Sequence, residues 1–152
     1  METLNYSLGG VLAVKEKWKN TRILTISTAE AVKRALKVIE GNQKILLFYL
    51  FGSRVMGTES PESDIDFAFL SSKDFSWEEY YSLHGRLSSV LGTDRFNLLW
   101  LNKADPIITF EVIARGRPLY FKDSETLNDF ELKAKKNYYD YKYYLERRRR
   151  GL

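Results

Sequence analysis

The segment Phe-Tyr-Leu-Phe-Gly-Ser-Arg-Val-Met-Gly-Thr-Glu-Ser-Pro-Glu-Ser-Asp-Ile-Asp-Phe-Ala-Phe-Leu, residues 48 to 70, decides the fold. It continues an apolar run that starts at Ile45, breaks at Gly52-Ser53 and passes through a polar turn. A second apolar run then opens with Asp64-Ile65-Asp66. Short apolar runs that flank Gly, Ser and Pro predict two strands joined by a loop.

Two aspartates and a Gly-Ser step make this segment a candidate binding site. Asp64 and Asp66 are two residues apart in the second strand, so both carboxylates project from one face. Two acids at the edge of a core are unfavourable without a cation, and a divalent metal meets that need. Gly52-Ser53 offers a phosphate close backbone approach, N–H groups and a hydroxyl. The alternative is a β-hairpin with a polar loop and two solvated acids, but the combined spacing favours a site.

The pattern of a strand, Gly-Ser, ten residues and Asp-Ile-Asp resembles the signature of the nucleotidyltransferase superfamily that includes DNA polymerase β. The chain is most similar to the minimal nucleotidyltransferases (MNT proteins), small bacterial and archaeal chains often paired with a HEPN-domain toxin. The likeness continues through residues 98–106 and 116–120 and covers roughly residues 45–145. It implies an α+β, two-layer fold: a small mixed sheet with helices on one side and a long C-terminal helix.

The resemblance also implies the roles of several residues at this site. In the superfamily there are two metal ions, expected here to be Mg²⁺. One is bound to the triphosphate and held by the first two carboxylates, which are Asp64 and Asp66 in this sequence, and the other depends on all three carboxylates and activates the attacking hydroxyl. Gly52 and Ser53 are expected to hold the phosphates of the nucleotide. The remaining expected nucleotide contacts are Arg54, whose alternative is a surface ion pair, and Ser63.

The third carboxylate of that superfamily is not evident in this sequence. Alignment of the strand expected over residues 95–101 places Asn97 at its position. An amide oxygen is an uncharged, weak Mg²⁺ ligand that cannot act as a base. Asp94 is the candidate catalytic substitute, provided that the strand starts after it and the loop bends back. The metal that is bound to the triphosphate is therefore expected to be retained better than the second metal, which depends on the third carboxylate.

Three functions follow from the resemblance. The first is an antitoxin enzyme that transfers AMP from MgATP to a tyrosine of a cognate HEPN ribonuclease toxin. The second is an antitoxin that neutralises the toxin by forming a complex, its catalysis weakened or lost. The third is nucleotidyl transfer to a small molecule or an RNA end, ranked last because the chain lacks an acidic excess and a second domain.

The length, composition and net charge of the chain limit the classes of protein to which it can belong. A chain of 152 residues is sufficient for one domain with its own core. It has no cysteine, and no apolar run approaches the ~20 residues of a membrane span. The N-terminus does not read as a signal peptide, so a cytoplasmic protein is expected. The net charge of +4 permits a nucleotide or an acidic partner. A hetero-oligomer with the toxin is expected, without direct DNA binding or a membrane.

The expected organisation is an N-terminal arm over residues 1–26, a nucleotidyltransferase domain over 27–123, and a helix with a basic tail over 124–152, all in one domain. Capping residues and glycines predict three helices, bounded by Ser27 and Gly41, Ser76 and Gly92, and Asp105 and Gly116. A long last helix is predicted from a Ser124 cap. Its apolar stripe is predicted at Leu127, Phe130, Ala134, Tyr138, Tyr141 and Leu145.

The sequence leaves two interpretations open for His84 and for the outer face of the last helix. His84 is the only histidine and has a near-neutral pKa in solution, but on a helix it is more often a packed or surface residue than a proton carrier. The last helix carries tyrosines in excess of what packing requires, together with many basic residues. That face is either solvated or a docking surface for a partner.

Overall fold

The computed structural model describes residues 26–56 and 63–151. The arm expected over residues 1–26 lies outside the described residues, except for Ile26, which is buried. The elements are α1 (Thr28–Glu40), β1 (Ile45–Phe51), α2 (Ser53–Met56), β2 (Ile65–Ser71), α3 (Trp77–Leu91), β3 (Phe96–Trp100), a 3₁₀ turn (Leu101–Lys103), α4 (Pro106–Arg115), β4 (Arg117–Phe121) and α5 (Ser124–Arg149).

The four strands form one mixed sheet in the order β3-β2-β1-β4. β1 is antiparallel to both β2 and β4, whereas β2 and β3 are parallel. The parallel pair requires a crossover, which α3 provides. β4 is an edge strand, where Pro118 is tolerated because its missing N–H costs no internal sheet bond.

One face of the sheet carries the larger core. Phe48, Phe67 and Phe96 lie on this face, and the rings of Phe48 and Phe67 stack with centroids 4.9 Å apart. Ile39 of α1 and Leu87 of α3 pack against them and are fully buried. Two helices therefore cover this face.

The opposite face carries a smaller core. Leu47, Tyr49 and Ala68 lie on it, and Val112 of α4 and Leu127 of α5 pack against them. The predicted α+β class, with a mixed sheet and a long C-terminal helix, is confirmed. The helices were expected on one side of the sheet, whereas α4 and the start of α5 cover its second face as well.

The predicted helix boundaries depend on local capping, and most of them are confirmed. Ser27 and Ser76 each accept a hydrogen bond from the N–H three residues later, and Ser76 with Glu79 forms a complete capping box. Asp105 caps α4, which begins with Pro106. The cap of α5 is Asp123 rather than Ser124, because the Asp123 carboxylate accepts the N–H of Thr126 at 2.7 Å.

The predicted stripe of α5 packs over only part of its length. Ala134 is buried, and Tyr138 stacks on Phe110 of α4 with ring centroids 4.0 Å apart. Further along, Tyr141 and Leu145 are exposed. The helix thus extends beyond the core that its first half covers. None of the helices in residues 26–56 and 63–151 has the length and apolar character of a membrane span.

Candidate functional site

Asp64 and Asp66 lie where β2 begins. Asp66 is two residues before Ala68, so it faces the α4 and α5 side of the sheet, and Asp64 precedes the strand by one residue. In the sheet Asp66 pairs with Phe51 of β1 on one side and with Asn97 of β3 on the other. The two carboxylates are therefore placed between the end of β1 and the start of β3.

Asn97 contacts Asp66 directly. Its Nδ2 donates a hydrogen bond to Asp66 Oδ1 at 2.7 Å. Burial raises the pKa of the Asp66 carboxyl, and the neighbouring Asp64 charge raises it further, whereas the Asn97 bond lowers it. The sequence placed Asn97 at the third-carboxylate position by alignment, and the structure brings it beside Asp66.

Arg95 pairs with Asp64, which the sequence did not indicate. The Arg95 Nε lies 3.3 Å from Asp64 Oδ1, and both side chains are largely buried. The parallel register explains the pair, because Ile65 N–H bonds to Arg95 C=O and Asp66 lies opposite Asn97. Asp64, just before β2, and Asp66, within it, therefore each have a donor side chain beside them, one cationic and one neutral.

Gly52 has a conformation and a position that exclude other residues. Its φ is +79°, in the region that favours glycine. A Cβ added there would lie 2.1 Å from Asp66 Oδ2. The absence of a side chain thus lets the turn after β1 lie directly against the carboxylate. This close approach explains why position 52 is a glycine.

The other predicted nucleotide contacts surround this turn. Ser53 begins the one-turn helix α2, directly after Gly52. Arg54 donates to Thr28 Oγ1 at 3.2 Å and to the Ser63 carbonyl at 2.7 Å. Its buried Nε has no hydrogen-bond partner among the described residues. In this structure Arg54 thus joins α1 to the residue before Asp64, and its role toward phosphate stays a prediction.

Asp94 does not join Asp64 and Asp66 in one cluster. It is exposed in the loop before β3, and its charge acts on the ring of His84, which stacks on Phe96. Burial lowers the pKa of His84, and Asp94 partly opposes that shift. Over residues 26–56 and 63–151, no third Asp, Glu, His or Cys joins the two aspartates as a group able to hold a metal. The bend that would bring Asp94 to them is not seen, because Phe96 anchors the strand start to the α3 side.

The residues at this end of the sheet fit a divalent cation that arrives with a phosphate ligand. Two carboxylates supply hard oxygen donors, and the Gly52 backbone lies directly against one of them. A cation bound by two protein carboxylates takes its remaining oxygens from phosphate and water, as Mg²⁺ usually does. The donor set suits one such ion better than two.

Residues 33–125 match the family described as "Polymerase beta, Nucleotidyltransferase". A curated relative, "Protein adenylyltransferase MntA" of Shewanella oneidensis, is 32% identical over 88 residues. The matched stretch is 57% of this chain and 63% of that protein, less than two thirds of the relative's length.

Solved structures share the fold. A crystal structure of a toxin–antitoxin with AMP-PNP superposes with a TM-score of 0.66 at 28% identity, over 77% of this chain and 92% of that chain. A structure of a tri-AMPylated HEPN toxin of Shewanella oneidensis in complex with MNT antitoxin gives a TM-score of 0.62 at 24% identity. That likeness covers 78% of this chain and 90% of the other, and at this identity it supports the fold alone.

Proposed function

Because the chain belongs to the polymerase β nucleotidyltransferase family, we propose that it binds MgATP and transfers AMP to a tyrosine hydroxyl of a HEPN-domain toxin, which it thereby neutralises. One observation carries this proposal: Gly52 brings the turn after β1 against the Asp66 carboxylate, beside Asp64. The related adenylyltransferase and the related antitoxin structure with AMP-PNP support the choice of nucleotide and reaction.

The chain's residues act mainly by positioning. Gly52 and Ser53 offer backbone N–H groups and a hydroxyl to the terminal phosphates, and Asp64 and Asp66 hold the cation that accompanies them. When bound, Mg²⁺ neutralises charge on the triphosphate and polarises its phosphorus–oxygen bonds. The tyrosine oxygen forms a bond to the α-phosphorus, the bond to the bridging oxygen breaks, pyrophosphate leaves and the phenolic proton passes to solvent. Arg95 is placed beside Asp64, where it limits the negative charge of the free site.

The direct test is incubation of the chain with labelled ATP, Mg²⁺ and a HEPN protein encoded by a neighbouring gene. Label on a tyrosine of the partner, absent with an Asp64→Ala/Asp66→Ala variant, is the expected result. Mass spectrometry of the partner identifies the modified residue. Label only on a small molecule or an RNA end would contradict the proposed acceptor, and the absence of any label would contradict the proposed reaction.

A second function is favoured by Asn97 and Arg95. Because a neutral amide and a cation lie beside the two aspartates, residues 26–56 and 63–151 give the site fewer anionic donors than two metals require. An antitoxin of this kind acts by binding its partner, with slow or absent transfer. A stable, unlabelled complex that silences the partner's ribonuclease activity would establish this alternative.

Substitution at Asn97 separates the two functions. If transfer appears only in Asn97→Asp, the natural chain is a binding antitoxin. If Asn97→Asp leaves the rate of transfer unchanged and Asp94→Ala abolishes it, Asp94 supplies the third acid after a rearrangement. If the wild-type chain labels its partner and Asp94→Ala is as active, two carboxylates are sufficient for transfer. Each result is read from the initial rate of labelling at saturating MgATP.

A further inference from the structure

The positive charge of this protein is concentrated in α5 from Leu132 onward and in Arg150, which follows it. Residues 132–150 contain eight Lys and Arg but only two acidic residues, a net charge of +6. The whole chain has a net charge of +4, so the rest of the chain is net negative by two charges. Five of the ten tyrosines also lie in this segment, between residues 138 and 144.

The packed side of α5 and its outer side differ. Leu127 and Phe130 pack against the small core, and Ala134, four residues further on, is also buried. Halfway round the helix lies a row with the same spacing, which we call the outer stripe. It consists of Leu132, Lys136, Tyr139, Tyr143 and Arg147.

The outer stripe presents large apolar side chains to water. Leu132, Tyr139 and Tyr143 are 71%, 57% and 62% exposed, respectively. Arg147 lies over the Tyr143 ring at 5.7 Å and donates to its hydroxyl at 3.2 Å, so the two side chains form one surface. Tyrosine and arginine are the residues that most often dominate the energy of protein interfaces.

This end of α5 also has little to stabilise it within the chain. Beyond Tyr138 none of its residues is buried, and about eleven residues of helix are marginal in water without packing. The ion pairs on it, Lys136 with Asp140 and Arg150 with Glu146, are exposed pairs between neighbouring turns, which contribute little. Their cations can therefore change partner without a large loss.

We propose that the outer stripe is a docking surface for an acidic groove on the protein that receives the nucleotide; this rests on the proposed function. The helix supplies anchors at i, i+4, i+7 and i+11, the pattern of a helix seated in a groove. The net charge of +6 selects an acidic partner, and the net negative remainder of the chain disfavours docking elsewhere on it. A protein fits better than RNA because Leu132 offers nothing to a phosphate backbone and Asp140 and Glu146 repel one.

Matched double variants test the surface. Tyr143→Ser/Arg147→Glu and Tyr139→Ser/Lys136→Glu each change one tyrosine and one cation of the outer stripe. Tyr81→Ser/Lys33→Glu makes the same changes at exposed positions of α3 and α1. The affinity for the neighbouring HEPN protein is measured by calorimetry without nucleotide, at two salt concentrations. Circular dichroism and MgATP binding check that every variant is folded with an intact site.

We expect each stripe variant to weaken binding at least ~30-fold, as the loss of an interface hot spot does, and to reduce its salt dependence. The control pair should bind within about threefold of the wild-type chain. Wild-type affinity in both stripe variants, or no binding by the wild-type chain, would overturn the proposal. So would a stripe-dependent affinity for single-stranded RNA, or for a second copy of the chain in sedimentation, with the HEPN affinity unchanged.

The two proposals fail in different ways. If the stripe variants lose binding but the wild-type chain transfers no label, the docking surface stands and the proposed transfer fails. If the wild-type chain labels its partner and both stripe variants bind and label it equally well, the transfer stands and the docking surface is overturned.

Discussion

At the residue scale, Asp66 is surrounded by groups with opposing effects. The Gly52 backbone and the Asn97 amide crowd it, while Asp64 adds a second negative charge nearby. Such an arrangement is costly for the folded protein and useful for a cation, a trade-off common at binding sites.

The Gly52→Ala variant is expected to lose nucleotide binding. Both the positive φ and the clash with Asp66 Oδ2 oppose a Cβ at this position. Gly92→Ala is the matched control, because Gly92 has φ +71° and nothing within 4 Å of an added Cβ. Denaturant unfolding should show a loss of about 1–2 kcal/mol for Gly92→Ala from backbone strain alone and a larger loss for Gly52→Ala. Only Gly52→Ala should weaken MgATP binding in a titration, and equal binding by both variants would contradict this account.

The Asp66→Asn variant is expected to be more stable than the wild-type chain at neutral pH. The pKa of Asp66 is raised in the folded state, so ionisation costs stability above that pKa, and the cost disappears below the pKa of the unfolded chain. The advantage of Asp66→Asn should therefore shrink as the pH falls through the raised pKa of Asp66. Urea unfolding of both proteins between pH 3 and pH 7 measures the difference in their free energies of unfolding. A difference that does not change with pH would show that the pKa of Asp66 is not raised by folding.

Local spacing in the sequence was sufficient to place part of this site. The two-residue step from Asp64 to Asp66 fixes a shared face by strand geometry alone. The Arg95 pair could not be foreseen, because it depends on the register of the parallel pairing of β2 with β3, which sets the residue before β3 beside Asp64. The position of Asp94 relative to the two aspartates likewise depended on the residue at which β3 begins.

At the element scale, Gly116 closes the junction between α4 and β4. An added Cβ would lie 2.3 Å from the Val112 carbonyl oxygen and 3.0 Å from that of Leu50. The end of α4 can therefore approach β1 only with glycine at this position.

Gly116→Ala should destabilise the protein by about 1–3 kcal/mol, the usual cost of overpacking. Gly41→Ala is the control, because its added Cβ meets nothing closer than 3.6 Å and its φ is negative. That control should be neutral or slightly stabilising, since alanine restricts the unfolded chain. Thermal unfolding of the two variants gives the comparison, and equal melting temperatures would count against the close contact.

Among the features of the helices and strands, the positions at which helices begin were the most predictable. Ser27, Ser76 and Asp105 act through hydrogen bonds to residues three positions away, so the sequence contains the whole interaction. The extent of packing along α5 was less predictable. Its periodic stripe continues past Tyr138, but the core that it would cover does not.

At the scale of the whole molecule, the buried Tyr49 and the partly buried Tyr80 link elements that are distant in the chain. Tyr49 of β1 donates to Glu131 of α5 at 2.7 Å, and Tyr80 of α3 donates to the Leu98 carbonyl of β3. Burial raises the pKa of both hydroxyls, that of Tyr80 to about 12. The hydrogen bond to Glu131 adds to the shift at Tyr49.

Alkaline pH should therefore destabilise the fold. In the unfolded chain both tyrosines ionise near pH 10, while the folded state keeps their protons, so stability falls as the pH rises above that value. Tyr49→Phe and Tyr80→Phe should each flatten the fall in unfolding free energy between pH 8 and pH 11, although each loses a hydrogen bond at pH 8. Tyr139→Phe, on the exposed outer stripe, is the control. A slope that is the same in all four proteins would contradict the prediction.

The antiparallel pairing of β1 with two neighbours has a consequence for the order of folding. Phe51 and Asp66 are close in the chain, whereas Tyr49 and its partner Pro118 are far apart. Closing a short loop costs less entropy and takes less time than closing a long one. We therefore expect β1 and β2 to pair early, so that a growing chain brings Gly52 and Asp66 together before β4 and α5 have been synthesised. Pulse-labelling hydrogen exchange during refolding would reveal that order as early protection in β1 and β2.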